Sequence, residues 1–259
     1  MAEKDILTEL RGKGLWITLN RPKKYNAITK NMFFGMNDIL KEVLVDDKVS
    51  YVVITGARDS KFHSSGSDFS PAELSDLQDS APQSHGYKVF IDTLIGYTKP
   101  VIAVISGHAY GVSVTMLGVM DMVISIDTAT FKCPFAEIGV CPEAASSTSI
   151  VATMGHQKAS ALMLFAETFT AQEAYQAGLV TKILPAKTFE ADLVKLFARY
   201  DTLSPFSMVV GKKLMRHAVV KDALYSSNRK EEIQLDNLFA SEDTIERLTA
   251  KFVKPASKI

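Results

Sequence analysis

Residues 99–112 read Lys99-Pro100-Val101-Ile102-Ala103-Val104-Ile105-Ser106-Gly107-His108-Ala109-Tyr110-Gly111-Val112. Lys99-Pro100 ends the segment before it, because a residue preceding proline is pushed out of helical geometry. Five uninterrupted apolar residues then predict a strand covered on both faces, the habit of parallel sheets packed between helices. Gly107 and Gly111 punctuate a strand-to-helix turn, and Val112 opens a helix predicted to run to Met120. Two readings fit this turn. It is a tight connection needing glycine for its geometry, or a place where the Val112 N–H, at a helix start with no intrahelical partner, meets an anionic ligand atom. The dinucleotide spacing GxGxxG and the phosphate-loop ending GK[ST] are both missing.

The same grammar extends in both directions. Tyr51–Thr55 is a second continuously apolar strand, and Met122–Ile126 a third. Upstream, Ile6–Leu10 and Leu15–Asn20 flank Gly12-Lys13-Gly14 as a hairpin. Thr29 can cap a helix whose apolar residues Met32, Phe33, Met36, Ile39, Leu40 and Val43 recur at helical spacing. A further helix is predicted over 85–97. From Ser147 the chain turns mostly helical, with a short strand at Leu179–Leu184 and helices near 188–200, 207–217 and 229–240. Alternating strands and helices with a helical end predict an α/β architecture, divided into a core over residues 1–195 and a helical region over 196–259.

Composition excludes several classes. The chain has 259 residues, 47% of them hydrophobic, enough for a large core. Lysine and arginine total 29 against 29 for aspartate and glutamate, so no long-range field calls for nucleic acid or an anionic membrane. No apolar run nears the ~18 residues of a membrane span, and the charged start Met1-Ala2-Glu3-Lys4-Asp5 lacks a secretory h-region. Cys133 and Cys141 form no CxxC pair and read as reduced thiols. The last three residues, Ser257-Lys258-Ile259, are similar to the Ser-Lys-Leu peroxisomal address with isoleucine for leucine.

Three segments could build a site. Ser64-Ser65-Gly66-Ser67-Asp68 is either an ordinary surface turn or a turn presenting the Ser67 N–H. Glu143, in Cys141-Pro142-Glu143-Ala144-Ala145-Ser146-Ser147, stands at an expected helix start. It is either a partner of the helix dipole or, in an apolar setting that raises its pKa, a proton carrier. Two N–H donors and one carboxylate are the parts needed to form and quench an enolate. His63 and His108 flank the turns without a carboxylate to orient them, and read as solvated or structural rather than as bases. Neither a GxSxG elbow nor HExxH is present.

Together these segments resemble the crotonase (enoyl-CoA hydratase/isomerase) superfamily. The residues carrying the likeness are Leu19-Asn20-Arg21-Pro22-Lys23-Lys24-Tyr25-Asn26-Ala27-Ile28, Val53-Ile54-Thr55-Gly56, Phe62 through Phe69, Lys99 through Gly111, Asp121 through Phe131 and Ala171 through Val180. The resemblance implies a spiral of repeated ββα units with a C-terminal helical trimerisation region, hence a homotrimer or dimer of trimers. It implies an oxyanion hole from the Ser67 and Val112 N–H groups. Lys23, Lys24, Ala27, Ile28, Ser65, Gly66, Asp68, Phe69 and Gly111 would bind the acyl-CoA substrate.

The closer likeness is to peroxisomal Δ3,Δ2-enoyl-CoA isomerases, where Glu143 occupies the place of the single catalytic glutamate. The two glutamates of the hydratases fall here on Thr115 and Phe135. Alanines follow Glu143 where relatives often have glycine. The implied activity is a shift of a 3-enoyl-CoA double bond to the 2-trans position in fatty acid β-oxidation. It would need no metal or redox cofactor, coenzyme A being part of the substrate. Hydration or other crotonase-type chemistry, and acyl-CoA binding without turnover, are the alternatives. The same likeness favours the peroxisome, by way of its import receptor, over mitochondrion or cytoplasm.

Overall fold

A computed structural model describes residues 4–73 and 86–253. Ser257-Lys258-Ile259, expected to resemble a peroxisomal address, lies outside the described residues. Among the described residues, ten strands fall into two sheets. The larger has the order β1 (Ile6–Arg11), β2 (Gly14–Leu19), β3 (Tyr51–Gly56), β5 (Val101–Ile105), β7 (Met122–Ile126), β10 (Lys182–Leu184). The β1–β2 pair is the antiparallel hairpin expected around Gly12, and all other pairs in this sheet are parallel. The smaller sheet has the order β4 (Phe62–Ser64), β6 (His108–Tyr110), β8 (Thr130–Lys132), β9 (Phe169–Thr170). Three successive units, β3–β4, β5–β6 and β7–β8, each give one strand to either sheet and then enter a helix: Gly86–Gly96, Val112–Thr115 and Phe135–Ile138.

The apolar runs are buried on both faces, and alternate residues go to different cores. Val52 and Ile54 of β3, with Val101, Ala103 and Ile105 of β5, join a large core beneath the helices Lys30–Leu44 and Gly86–Gly96. Tyr51, Val53, Ile102 and Val104 face the other way, onto Phe189, Leu193, Phe197 and Tyr200 of the helix Phe189–Tyr200. A period of two in side-chain direction produces this partition. Phe197 anchors the second core, with its ring 4.9 Å from Trp16 and 5.7 Å from Tyr51.

Several boundaries follow from local chemistry. The Thr29 hydroxyl accepts from the Met32 N–H at 3.2 Å, the cap expected of it. The helix expected over 112–120 is shorter, since Val112–Thr115 gives way to a 3-10 turn at Met116–Val119. The helix expected near 229–240 is longer, running from Ala218 to Phe239. Its first turns expose Val219 and other residues that broke the apolar pattern.

Candidate functional site

The smaller sheet sets the geometry of the site. β4 and β6 are parallel neighbours, with Ser64 paired to Ala109. Their carboxyl ends therefore deliver the Ser65–Asp68 and Gly111–Val112 turns side by side, the edge where open α/β sheets bind ligands. Gly66 has φ +94° and Gly111 φ +58°, both in the region that favours glycine.

The first turn is held by the segment that precedes the helix Lys30–Leu44. The Ile28 N–H donates to the Gly66 carbonyl at 2.8 Å and the Asp68 N–H to the Ile28 carbonyl at 2.9 Å. This strand-like alternation turns the intervening Ser67 N–H away from Ile28. Among the described residues neither the Ser67 nor the Val112 N–H donates to a backbone carbonyl. The Val112 helix is a single turn, so its N–H acts as a lone donor, with little of the dipole support a longer helix would add.

Arg21 and Asn26 brace this turn. The Asn26 Nδ2 donates to the carbonyls of Ala57 and Phe62, and its Oδ1 accepts from the Arg21 N–H. Tyr25 and Asn26 both take positive φ, 54° and 52°. Arg21 donates to the Ala27 carbonyl and to Asp68 Oδ2, each at 2.7 Å. Burial works to raise the Asp68 pKa, but the Arg21 guanidinium and the Ser70 donors outweigh it and hold the carboxyl low.

A cavity of about 480 Å³ opens in front of the two turns. Ser65, Ser67, Asp68, Phe69, Gly111, Val112 and Glu143 line it, with Lys23, Lys24 and Ala27 on its rim and wall. Lys23 and Lys24 are exposed. Ile28 lines a small adjoining apolar recess with Phe33 and Tyr87, which shares Ser67, Glu143, Leu235 and Phe239 with the main cavity. Gly66 is buried behind the turn and supplies shape without touching the space. Phe135, on the wall, puts a phenyl ring where a hydratase-type glutamate was expected to align. Thr115 is fully buried, its hydroxyl turned to the Val112 carbonyl.

Glu143 reaches the cavity from the loop between the helices Phe135–Ile138 and Ser146–Met154. It lies outside the helix, three residues before its start, so the dipole-partner reading does not apply. Protein encloses the carboxyl except where it faces the cavity. Burial, with the Glu231 charge behind it, pushes its pKa up to about 8. No side-chain or backbone donor among the described residues meets this carboxylate, unlike Asp68 with Arg21. Glu73, in the adjoining recess, accepts from the Lys30 N–H at 3.0 Å.

The histidines stay outside. His63 is fully buried, its Nδ1 accepts from the Gly56 N–H, and burial pushes its pKa down to about 4. His108 is bonded to the Thr130 hydroxyl at 2.9 Å. Among the described residues no cluster of three His, Cys, Asp or Glu side chains is placed to hold a metal ion, and no helix is long and apolar enough to cross a membrane.

Sequence reasoning missed Leu235 and Phe239, which the helix Ala218–Phe239 inserts into the cavity wall from far along the chain. It also left Arg21 and Asn26 without a task. A buried asparagine beside Arg21-Pro22 was a usable signal, because asparagine tolerates left-handed backbone and bonds nearby main chain. A carboxylate facing two N–H donors across one cavity can carry a proton while a carbonyl oxygen between those donors takes up negative charge.

The sequence matches the family described as enoyl-CoA hydratase/isomerase over residues 13–254. An uncharacterized protein of Caenorhabditis elegans is 59% identical, over 97% of each chain. Enoyl-CoA delta isomerase 2 of Rattus norvegicus is 38% identical over 93% of this chain, which spans 62% of that protein's length. Peroxisomal enoyl-CoA delta isomerase 3 of Mus musculus is 36% identical, over 88% of this chain and 72% of its own. Among solved structures, an enoyl-CoA hydratase/isomerase of Pseudoalteromonas atlantica superposes with a TM-score of 0.86 at 28% identity, covering 99% of this chain and all of that one.

Proposed function

Because the chain belongs to the enoyl-CoA hydratase/isomerase family, a crotonase-type acyl-CoA enzyme, we propose that it is a Δ3,Δ2-enoyl-CoA isomerase with Glu143 as its proton carrier. The observation that supports this reading is Glu143 itself: a carboxylate with raised proton affinity, facing the cavity that the Ser67 and Val112 turns line. Asp68 is committed to Arg21 and Glu73 to the Lys30 N–H.

The thioester carbonyl of a 3-enoyl-CoA sits between the Ser67 and Val112 N–H groups. Glu143 removes a proton from C2, and the electron pair moves into the carbonyl to give an enolate. The two N–H donors stabilise the oxyanion, each worth about 2.7–4 kcal/mol of barrier. Glu143, now protonated, returns the proton to C4. The double bond passes from C3–C4 to C2–C3 and the base is restored. A base with a pKa near the working pH serves both transfers, since it must take and release the same proton. The sequence of steps moves no electrons to or from an acceptor, and coenzyme A enters and leaves with the substrate. Hydration would need a second group to hold and deprotonate water, and a phenyl ring, that of Phe135, stands where the family's hydratases are expected to carry one.

Lys23 and Lys24 receive the nucleotide phosphates of coenzyme A at the cavity rim, and Ala27 with Ile28 flanks the pantetheine arm. The assembly is a homotrimer or a dimer of trimers. Phe206, Leu214, Met215 and Val219, each more than 70% exposed on the C-terminal helices, favour burial against another copy. The compartment is the peroxisome, in keeping with the location named for the mouse relative.

The deciding experiment follows the absorbance of the conjugated 2-enoyl thioester as a 3-enoyl-CoA is supplied. Rapid conversion that collapses in Glu143→Gln supports the proposal. Conversion that survives the substitution removes Glu143 as the base. No conversion by the wild type, with 3-hydroxyacyl-CoA formed from 2-enoyl-CoA instead, favours hydration.

A further inference from the structure

The loop bearing Glu143 is fastened from behind by a second glutamate. Glu231 projects from the helix Ala218–Phe239 and is 6% exposed. Its Oε2 accepts from the Ala145 N–H at 2.6 Å, and its Oε1 from the Ser147 N–H at 2.8 Å and from the Ser147 hydroxyl. The helix Ser146–Met154 has no cap from its own sequence, so a carboxylate from 84 residues away satisfies its first donors. Before that helix, Ala144 and Ala145 hold φ of +63° and +58° with both side chains fully buried. Left-handed backbone is unfavourable for a residue with a Cβ and persists where its surroundings impose it. The Glu231 bond to the Ala145 N–H is such an imposition, two residues from Glu143. Ahead of the loop, the Thr244 hydroxyl donates to the Gly139 carbonyl at 2.5 Å, so the C-terminal helices grip the loop at both ends.

We infer that Glu231 is a positioning residue for Glu143, a carboxylate that fixes the turn carrying the base by gathering the Ala145 and Ser147 donors. This rests on the reading of Glu143 as the base. Burial pushes the Glu231 pKa up to about 7, and its three donors hold it below that of Glu143, whose carboxylate no donor meets; of the pair, Glu231 gives up its proton first and Glu143 holds its own longer. Among the described residues, Asp68 and Glu73 share the cavities with Glu143 but are held by Arg21 and the Lys30 N–H, and the uncharged neighbours are Tyr87 from the helix Gly86–Gly96, Cys133 after β8, and Cys141 on its own loop. Burial raises the pKa of Tyr87 and of both cysteines and leaves them neutral near pH 7. The field on Glu143 from these neighbours therefore comes from Glu231, and it favours the protonated base.

The test compares Glu231→Gln and Glu231→Asp with wild type. Glutamine keeps the volume but loses the charge and turns an NH2 toward one of the donors. A displaced base is expected to lower kcat roughly 10- to 100-fold, with KM for the CoA ester unchanged. The acid-side midpoint of kcat/KM against pH is expected to move down, and aspartate to restore part of the rate. Wild-type kcat and midpoint in Glu231→Gln would overturn the inference, as would a change confined to KM. Should Glu231→Gln fail to fold, Ser147→Ala removes one donor and keeps the charge. A several-fold fall in kcat at constant KM supports the role, and an unchanged kcat overturns it.

A carboxyl 13C titration of Glu143, assigned by its loss in Glu143→Gln, needs no turnover. If wild type isomerises nothing, the functional reading fails by itself, while the titration still decides on Glu231. A lower Glu143 pKa in Glu231→Gln upholds the coupling, and an unchanged one refutes it.

Discussion

Gly66 sits so close to Tyr110 that a Cβ on it would stand 2.7 Å from the Tyr110 carbonyl oxygen and 3.4 Å from the Gly111 Cα. The two donor turns are thus packed back to back, and glycine at position 66 serves both its φ of +94° and this contact. Gly66→Ala must push the turns apart or rotate the Ser67 N–H. It should lower kcat by about 10²–10³-fold, the cost of one oxyanion donor. Binding of CoA at the rim should change little. Isomerisation kinetics beside CoA affinity check this, and wild-type kcat would refute it.

Glu143 costs the fold stability in proportion to its usefulness. Its folded pKa, pushed up to about 8, lies above the ordinary value of 4.5. Between those values the native state binds more protons than the unfolded chain, so this group's contribution falls as pH rises. Glu143→Gln escapes that penalty. It should be inactive, close to wild type in stability at pH 4.5, and more stable by a growing margin up to pH 8, level beyond. Urea midpoints at pH 5 and pH 9 measure the difference. An equal margin at both would show that Glu143 titrates normally.

His63 works in the opposite direction. Burial pushes its pKa down to about 4 from 6.5. The unfolded chain takes up the proton first, so stability is present above 6.5 and is lost as pH falls toward 4. The loss is about 3 kcal/mol for a shift of this size. His63→Asn keeps an acceptor for the Gly56 N–H and removes the titration. Its stability should vary less with pH than wild type between 6.5 and 4, as denaturant unfolding across that range would register.

The centre of the larger sheet was legible because its strands are continuous apolar runs bounded by proline, glycine and charge, whereas its edge strand Lys182–Leu184 is shorter than the Leu179–Leu184 expected. Val101–Ile105 could be read residue by residue, and Tyr51–Gly56 nearly so. The smaller sheet was not. Phe62–Ser64, His108–Tyr110 and Thr130–Lys132 have three residues each, too few to display a period. Yet this sheet brings the donor turns together, so the site was legible as separate segments whose meeting came from the resemblance. Glu231 had no local signal at all. Its function depends on a contact with Ala145, 86 positions away, and within its own helix it reads as one more solvated charge.

Arg21 and Asp68 support the last prediction, which separates shape from chemistry. Their side chains are 17% and 11% exposed and meet at 2.7 Å directly beneath the Ser67 turn. Arg21→Met keeps the stem but leaves a nearly buried carboxylate unpaired, a change that costs about 3 kcal/mol. The freed Asp68 would also present a second negative charge to the cavity, close to where an enolate forms. Stability and kcat should therefore fall together in Arg21→Met. In the double variant Arg21→Met, Asp68→Asn, with no orphaned charge, most of the stability should return while kcat stays low, because the turn has lost its brace. Recovery of both would mean that the pair matters for charge balance alone. Thermal unfolding and isomerisation rates for the two variants distinguish these outcomes.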